Sequence, residues 1–169
     1  MRSGAKRLPA DFLLSFTFLT ALAILILNDF VLKSQFPGVL SGKLSDIAGP
    51  VVVTLLAVAI LEAVVHALDK AGWAKPWWFT AAAIAVVCLF AAIKLTTFGS
   101  AAYVGVTTSL MDLARPLAGL VGWEWIHETP EPVRDIWDAV LALMAIPITF
   151  ATGLVWRRPE GTSPRSVRR

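Results

Sequence analysis

Residues 47–68 read IAGPVVVTLLAVAILEAVVHAL, and this stretch decides the fold class. A bilayer core about 30 Å thick is crossed by about 20 apolar residues in a helix rising about 1.5 Å per residue. The stretch has that length, and between Val51 and Leu61 its only polar side chain is Thr54. Working outward, residues 12–32, 77–98 and 136–156 meet the same test. The strictly uncharged part of the first, residues 12–27, is short for a span, so Asn28 and Asp29 must ride in its last turns. Lys94 falls near the end of the third, Asp138 in the first turn of the fourth, and Pro147 predicts a kink there.

Composition agrees with this reading. Of 169 residues, 57% are hydrophobic and 16% charged, with a mean hydropathy of +0.71; soluble domains average about 25% charged. A soluble enzyme domain, a disulfide scaffold and a disordered tail protein are excluded. The single cysteine, Cys88, leaves no intramolecular disulfide. The expected fold is all-α: a four-helix transmembrane bundle forming one membrane domain over residues 1–156, followed by a basic cytoplasmic tail over 157–169.

The basic residues predict the orientation. With four spans both termini share one side with the loop between spans two and three. That side collects ten basic residues, Arg2, Lys6, Arg7, Lys70, Lys75, Arg157, Arg158, Arg165, Arg168 and Arg169. The other side holds four, Lys33, Lys43, Arg115 and Arg134. The positive-inside rule then places both termini in the cytoplasm of a multi-pass inner-membrane protein. Trp77, Trp78 and Trp156 stand where aromatic-belt residues belong. The first span reads as a retained helix rather than a cleaved signal, because its apolar stretch is long and Asn28-Asp29-Phe30 offers no small-residue cleavage site.

The loop at 96–135 is too long to be a plain connector. Within it Tyr103, Val106, Leu110, Leu113, Leu117 and Leu120 recur at three- and four-residue steps, with Asp112 and Arg115 off the stripe. This predicts an amphipathic helix over about 100–121, interfacial or re-entrant on the outer face, or else packed over the bundle. Trp123, Trp125, His127, Glu128, Pro130 and Pro132 read as an ordered surface turn leading into span four.

Charged groups at membrane depth are costly and face a partner or water. Here they gather at one level. Asp29 and Lys94 lie just inside the outer ends of spans one and three, Asp138 just inside that of span four, and Asp46 at the outer start of span two. Asp29 and Lys33, and likewise Arg134 and Asp138, are spaced i, i+4; Asp135 and Asp138 are spaced i, i+3, so each pair shares a helix face. Asn28 adds a neutral donor and acceptor. Asn28, Asp29, Lys33, Lys43, Asp46, Lys94, Asp135 and Asp138 are therefore the candidate ligand-binding cluster. Read structurally, the same charges form a balanced ion network tying helix ends together. Read functionally, they hold a divalent cation, bind an anionic lipid head group through the lysines, or relay protons.

Two further features carry less. Gly42-Lys43-Leu44-Ser45 lacks the spacing of a phosphate-binding loop and follows no strand. Pro37-Gly38 and Gly42 instead suggest a turn, with a helix starting near Ser45, Pro50 in its first turn, and free N–H groups able to hold an anion. Glu62 and His66, spaced i, i+4, form a candidate proton-handling or metal-ligand pair, or a pair simply partnered within the bundle.

Three stretches together, Asn28-Asp29-Phe30-Val31-Leu32-Lys33, Gly42-Lys43-Leu44-Ser45-Asp46-Ile47-Ala48-Gly49 and Asp135-Ile136-Trp137-Asp138, resemble a group of small uncharacterised bacterial multi-pass membrane proteins. The resemblance covers about 20 residues, implies bacterial origin and draws attention to the same outer cluster; it implies no activity. The chain departs from the group at Phe30, where the group carries histidine, and at Ile136, where it carries proline. Losing that histidine removes the best nitrogen ligand for a metal.

Three functions follow as expectations. The first is a membrane protein whose outer-leaflet cluster binds a lipid head group or cation, as a helper of a larger membrane complex. The second is a lipid-modifying enzyme, hydrolase or transferase, with an aspartate as base or metal ligand. The third is a small oligomeric transporter or channel, ranked last because the middle of the spans is bare of polar groups. Lipid and membrane proteins are the expected partners; nucleic acid is not.

Overall fold

A computed structural model describes residues 9–32, 35, 39–68, 75–121 and 135–156, with the side chains at 29–30, 39–42 and 117–121 left out of the description. Every element among the described residues is helical. In chain order these are α1 (Phe16–Leu27), α2 (Val39–Ala67), α3 (Pro76–Leu95), α4 (Thr97–Val121), α5 (Ile136–Ala142) and α6 (Ala145–Trp156). Three helical stretches are long and apolar enough to cross a membrane: Lys43–Ala67, Pro76–Leu95 and Ile136–Trp156.

The Phe16–Leu27 helix is shorter than these, with 12 residues. A 3-10 turn, Asp11–Leu14, precedes it and a π turn, Asn28–Leu32, follows it. Ser15 makes the break, because its backbone is extended and its Oγ accepts the Phe18 N–H at 3.3 Å as an N-cap. The uninterrupted helix expected from residue 12 therefore divides at Ser15 into a turn and a helix.

Two local signals are overridden in α2. The expected turn at Gly42 and start near Ser45 are replaced by a helix that begins at Val39, with Pro50 in its interior. Proline and glycine weaken a helix by about 3 and 1 kcal/mol, but here they are outweighed by a long buried face, including Ala48, Val51, Val52, Leu55 and Val58. The N–H groups proposed for an anion thus lie inside a helix. The Pro37-Gly38 turn lies outside the described residues.

The last stretch bends as Pro147 predicts. Proline has no N–H for the Leu143 carbonyl, so Ile146 N–H donates there instead at 3.1 Å, and the chain turns at Leu143 and Met144 between α5 and α6.

Small residues at a contact let helix backbones approach closely, and the core uses them. α2, α3 and α5–α6 pack mutually, with Ala59, Ala83, Ala142, Ala145 and Gly153 buried at their contacts. Phe12 meets Phe79 edge-on, ring centroids 5.0 Å apart. Gly153 makes room for that ring, since a Cβ there would stand 2.8 Å from Phe79 Cδ2. The α1 helix packs on α2.

The loop helix exists and starts early. Thr96 alone separates α3 from α4; its Oγ1 donates to the Ala92 carbonyl at 2.7 Å and accepts the Gly99 N–H at 2.9 Å. Gly99 permits the sharp approach, because a Cβ there would lie 2.3 Å from the Ala92 carbonyl oxygen. α4 rests on α3 with Gly99, Ser100, Val104, Thr107 and Ala114 partly buried. The apolar stripe Tyr103, Val106, Leu110 and Leu113 points away, exposed. The helix therefore packs on α3 through its smaller residues and not through its apolar stripe. Leu117 and Leu120 fall among the side chains left undescribed, and the turn from Trp123 to Pro132 and the tail at 157–169 lie outside the described residues.

Candidate functional site at one end of the bundle

Five of the eight candidate residues come together where α2, α3 and α5 end or begin on one side. Asp135 is the N-cap of α5; its Oδ1 accepts the Trp137 N–H at 2.9 Å. Asp138 follows three residues on, in the first turn, where a carboxylate also complements the helix dipole. Lys43 reaches across from α2 and donates to both, 2.8 Å to Asp135 Oδ2 and 2.8 Å to Asp138 Oδ1. Lys94, in the last turn of α3, donates to Asp138 Oδ2 at 2.8 Å and stands 3.6 Å from Asp46 Oδ1. Asp138 is thus the hub, with an ammonium on each oxygen.

The cluster has a closed floor and an open rim. Side-chain exposure is 9% for Asp138, 10% for Asp46 and 17% for Lys94, against 26% for Lys43 and 35% for Asp135. Among the described residues three carboxylates face two ammoniums, an excess of one negative charge. Asp135, outside the spans, is held below its ordinary carboxylate value of 3.8, first by the Lys43 hydrogen bond and then by the Trp137 N–H.

The remaining candidates divide. Asn28 is fully buried at the start of the π turn. Asp29 lies in that turn with its side chain undescribed, and Lys33 and Arg134 lie outside the described residues. Lys94 is engaged with Asp138 and Asp46.

A divalent cation fits this arrangement poorly. Among the described residues no group of three His, Cys, Asp or Glu side chains is arranged to hold a metal. The oxygens of Asp138 that would ligate one already accept from Lys43 and Lys94. An anionic head group also meets a difference from expectation, because both ammoniums are turned toward carboxylates.

Glu62 has a structural task that its spacing from His66 did not announce. It is buried, and its Oε2 accepts the Ala10 N–H at 2.9 Å. Ala10 has φ 65°, left-handed, and opens the Asp11–Leu14 turn. Glu62 therefore anchors the N-terminal turn to α2, while His66 is exposed.

One feature escaped the sequence. A cavity of about 320 Å³ opens between α1 and α2, walled by Thr17, Thr20, Ala21 and Ile24 on one side and by Leu44, Ile47, Ala48 and Val51 on the other, with Ile148 of α6. Leu44 and Ile47 directly follow Lys43 and Asp46, so this apolar groove and the charged cluster reach the same level on neighbouring faces of α2. The only signal was small residues, Ala21 and Ala48, and their opposition is a tertiary fact. Comparison of the chain with family models, curated proteins and solved structures finds no match.

Proposed function

We propose that this is a four-span bacterial inner-membrane protein, both termini cytoplasmic, that binds a lipid head group at the rim of the outer-leaflet cluster and acts as a non-catalytic helper of a larger membrane complex. In this reading the segment through Phe16–Leu27 completes the fourth span with its flanking turns, and α4 lies at the outer interface with Tyr103, Val106, Leu110 and Leu113 toward lipid.

The observation that carries it is the division of the cluster. Asp46, Lys94 and Asp138 form the closed floor, while Lys43 and Asp135, of opposite sign, remain partly open above it. A general base or metal ligand needs a free carboxylate oxygen aimed at its target. Asp138 has none free of an ammonium, which sets the hub of the cluster apart from a general base, and we read the site as one of binding. The Lys43 ammonium has three donors, of which two go to Asp135 and Asp138, leaving one for an incoming acceptor.

The test is lipid retention after release from nanodiscs, read by native mass spectrometry, for the wild type and for the double change Lys43→Gln with Asp135→Asn. The wild type is expected to carry lipid that the double variant loses. Equal lipid on both, with similar melting, would remove the rim as a head-group site.

A further inference from the structure

We infer that the groove between α1 and α2 holds an acyl chain of a phospholipid whose head group carries a primary ammonium, with that head group seated on the Lys43–Asp135 rim; this rests on the head-group reading above. Three observations on different parts of the molecule lead there.

The first is the groove itself. Its walls are apolar apart from Thr17 and Thr20, and it lies on an α1–α2 face of a chain whose neighbouring helices are built to cross a membrane. Hydrocarbon is the solvent at that depth, and a volume of about 320 Å³ between two helices is filled there by a lipid tail rather than left dry or wet.

The second is register. The groove ends at Leu44 and Ile47, adjacent in sequence to Lys43 and Asp46. One residue of helix is about 1.5 Å of depth. A single amphiphile therefore has its tail in the groove and its polar end at the cluster level without stretching.

The third is charge, which selects the head group. The most open member of the described cluster is the Asp135 carboxylate. An anionic glycerol phosphate head group brings no cation to that carboxylate and sets its phosphate against it. A phosphoethanolamine head group brings a phosphate for the remaining Lys43 donor and an ammonium for Asp135, two carbons apart. Choline offers the same net charge but no N–H to donate to the Asp135 carboxylate.

The experiment uses the full chain in nanodiscs of equal parts phosphatidylethanolamine, phosphatidylcholine and phosphatidylglycerol, followed by native mass spectrometry of retained lipid. The wild type is expected to retain phosphatidylethanolamine over phosphatidylcholine by roughly tenfold, the scale of one charge-assisted hydrogen bond. Asp135→Asn is expected to bring the two near parity, and Ala48→Phe, which fills the groove, to lower retention of all three. Thr20→Phe, on the opposite and more open wall, repeats the second test should Ala48→Phe not fold. Phosphatidylglycerol or phosphatidylcholine retained at or above phosphatidylethanolamine overturns the head-group assignment while leaving lipid binding in place. Retention unchanged in a folded groove-filled variant overturns the groove while leaving the rim. A wild type that retains no lipid overturns both this inference and the reading beneath it.

Discussion

Lys94 Nζ lies 2.8 Å from Asp138 Oδ2 and joins the last turn of α3 to the first turn of α5. Forty-three residues of chain, the whole of α4 among them, separate the two, so this contact closes the bundle at one end. Both side chains are more than four-fifths buried.

Removing one partner strands the others. Lys94→Met leaves three described carboxylates around a single ammonium, and is expected to cost about 3 kcal/mol, the scale for breaking a buried pair. Lys94→Met combined with Asp46→Leu restores the original imbalance of one charge and should recover most of that loss. Thermal melting in detergent decides; a double variant no more stable than the single one would show that charge balance does not govern this end of the bundle.

Acid should weaken the rim. The folded-state value of Asp135 is depressed, so its contribution is fully present above the ordinary 3.8 and is lost as pH falls through the lower folded-state value. Asp135→Asn removes that dependence. The stability gap between wild type and variant is therefore expected to be constant near neutrality and to close on acidification toward pH ~3 and below. A gap that widens in acid would contradict the Lys43–Asp135 hydrogen bond.

The bend between α3 and α4 depends on one missing methyl group. Gly99→Ala sets a Cβ against the Ala92 carbonyl, and overpacking of this kind costs about 1–3 kcal/mol. Gly105→Ala, farther along α4 with nothing within 4 Å of its Cβ, should be neutral or stabilising by up to about 1 kcal/mol. Melting of the two variants side by side separates the hinge from general helix propensity; equal effects would place the constraint elsewhere.

Much of the architecture was legible because lipid is a simple solvent. A helix in hydrocarbon must satisfy every backbone group internally, so apolar length alone marks Lys43–Ala67, Pro76–Leu95 and Ile136–Trp156. Pro147 announced its bend for an equally local reason, a hydrogen bond that cannot form. The break at Ser15 and the early start of α2 were not legible. Each depends on a competition: a serine cap against an apolar run, and Gly42 and Pro50 against a face that the rest of the bundle buries.

The cluster shows the same division. That charges would gather at one level follows from counting residues between span ends, and Lys43, Asp46, Lys94, Asp135 and Asp138 do meet. The pairing scheme does not follow, because depth along a helix is read from sequence whereas azimuth around the bundle is not. Asp138 is the hub only because α2 and α3 turn Lys43 and Lys94 toward α5.

By itself, then, the sequence determined an all-helical chain with spans of membrane length, a bend at Pro147 and an amphipathic helix before the last span, since each is dictated by the chain's own backbone and its transfer between water and lipid. Tertiary structure alone decided which ammonium meets which carboxylate, that Glu62 holds the Ala10 N–H, that the α4 stripe faces away from the bundle, and that Ala21 and Ala48 line a groove. Those depend on helix rotation and close approach, which are set by packing between elements distant in the chain.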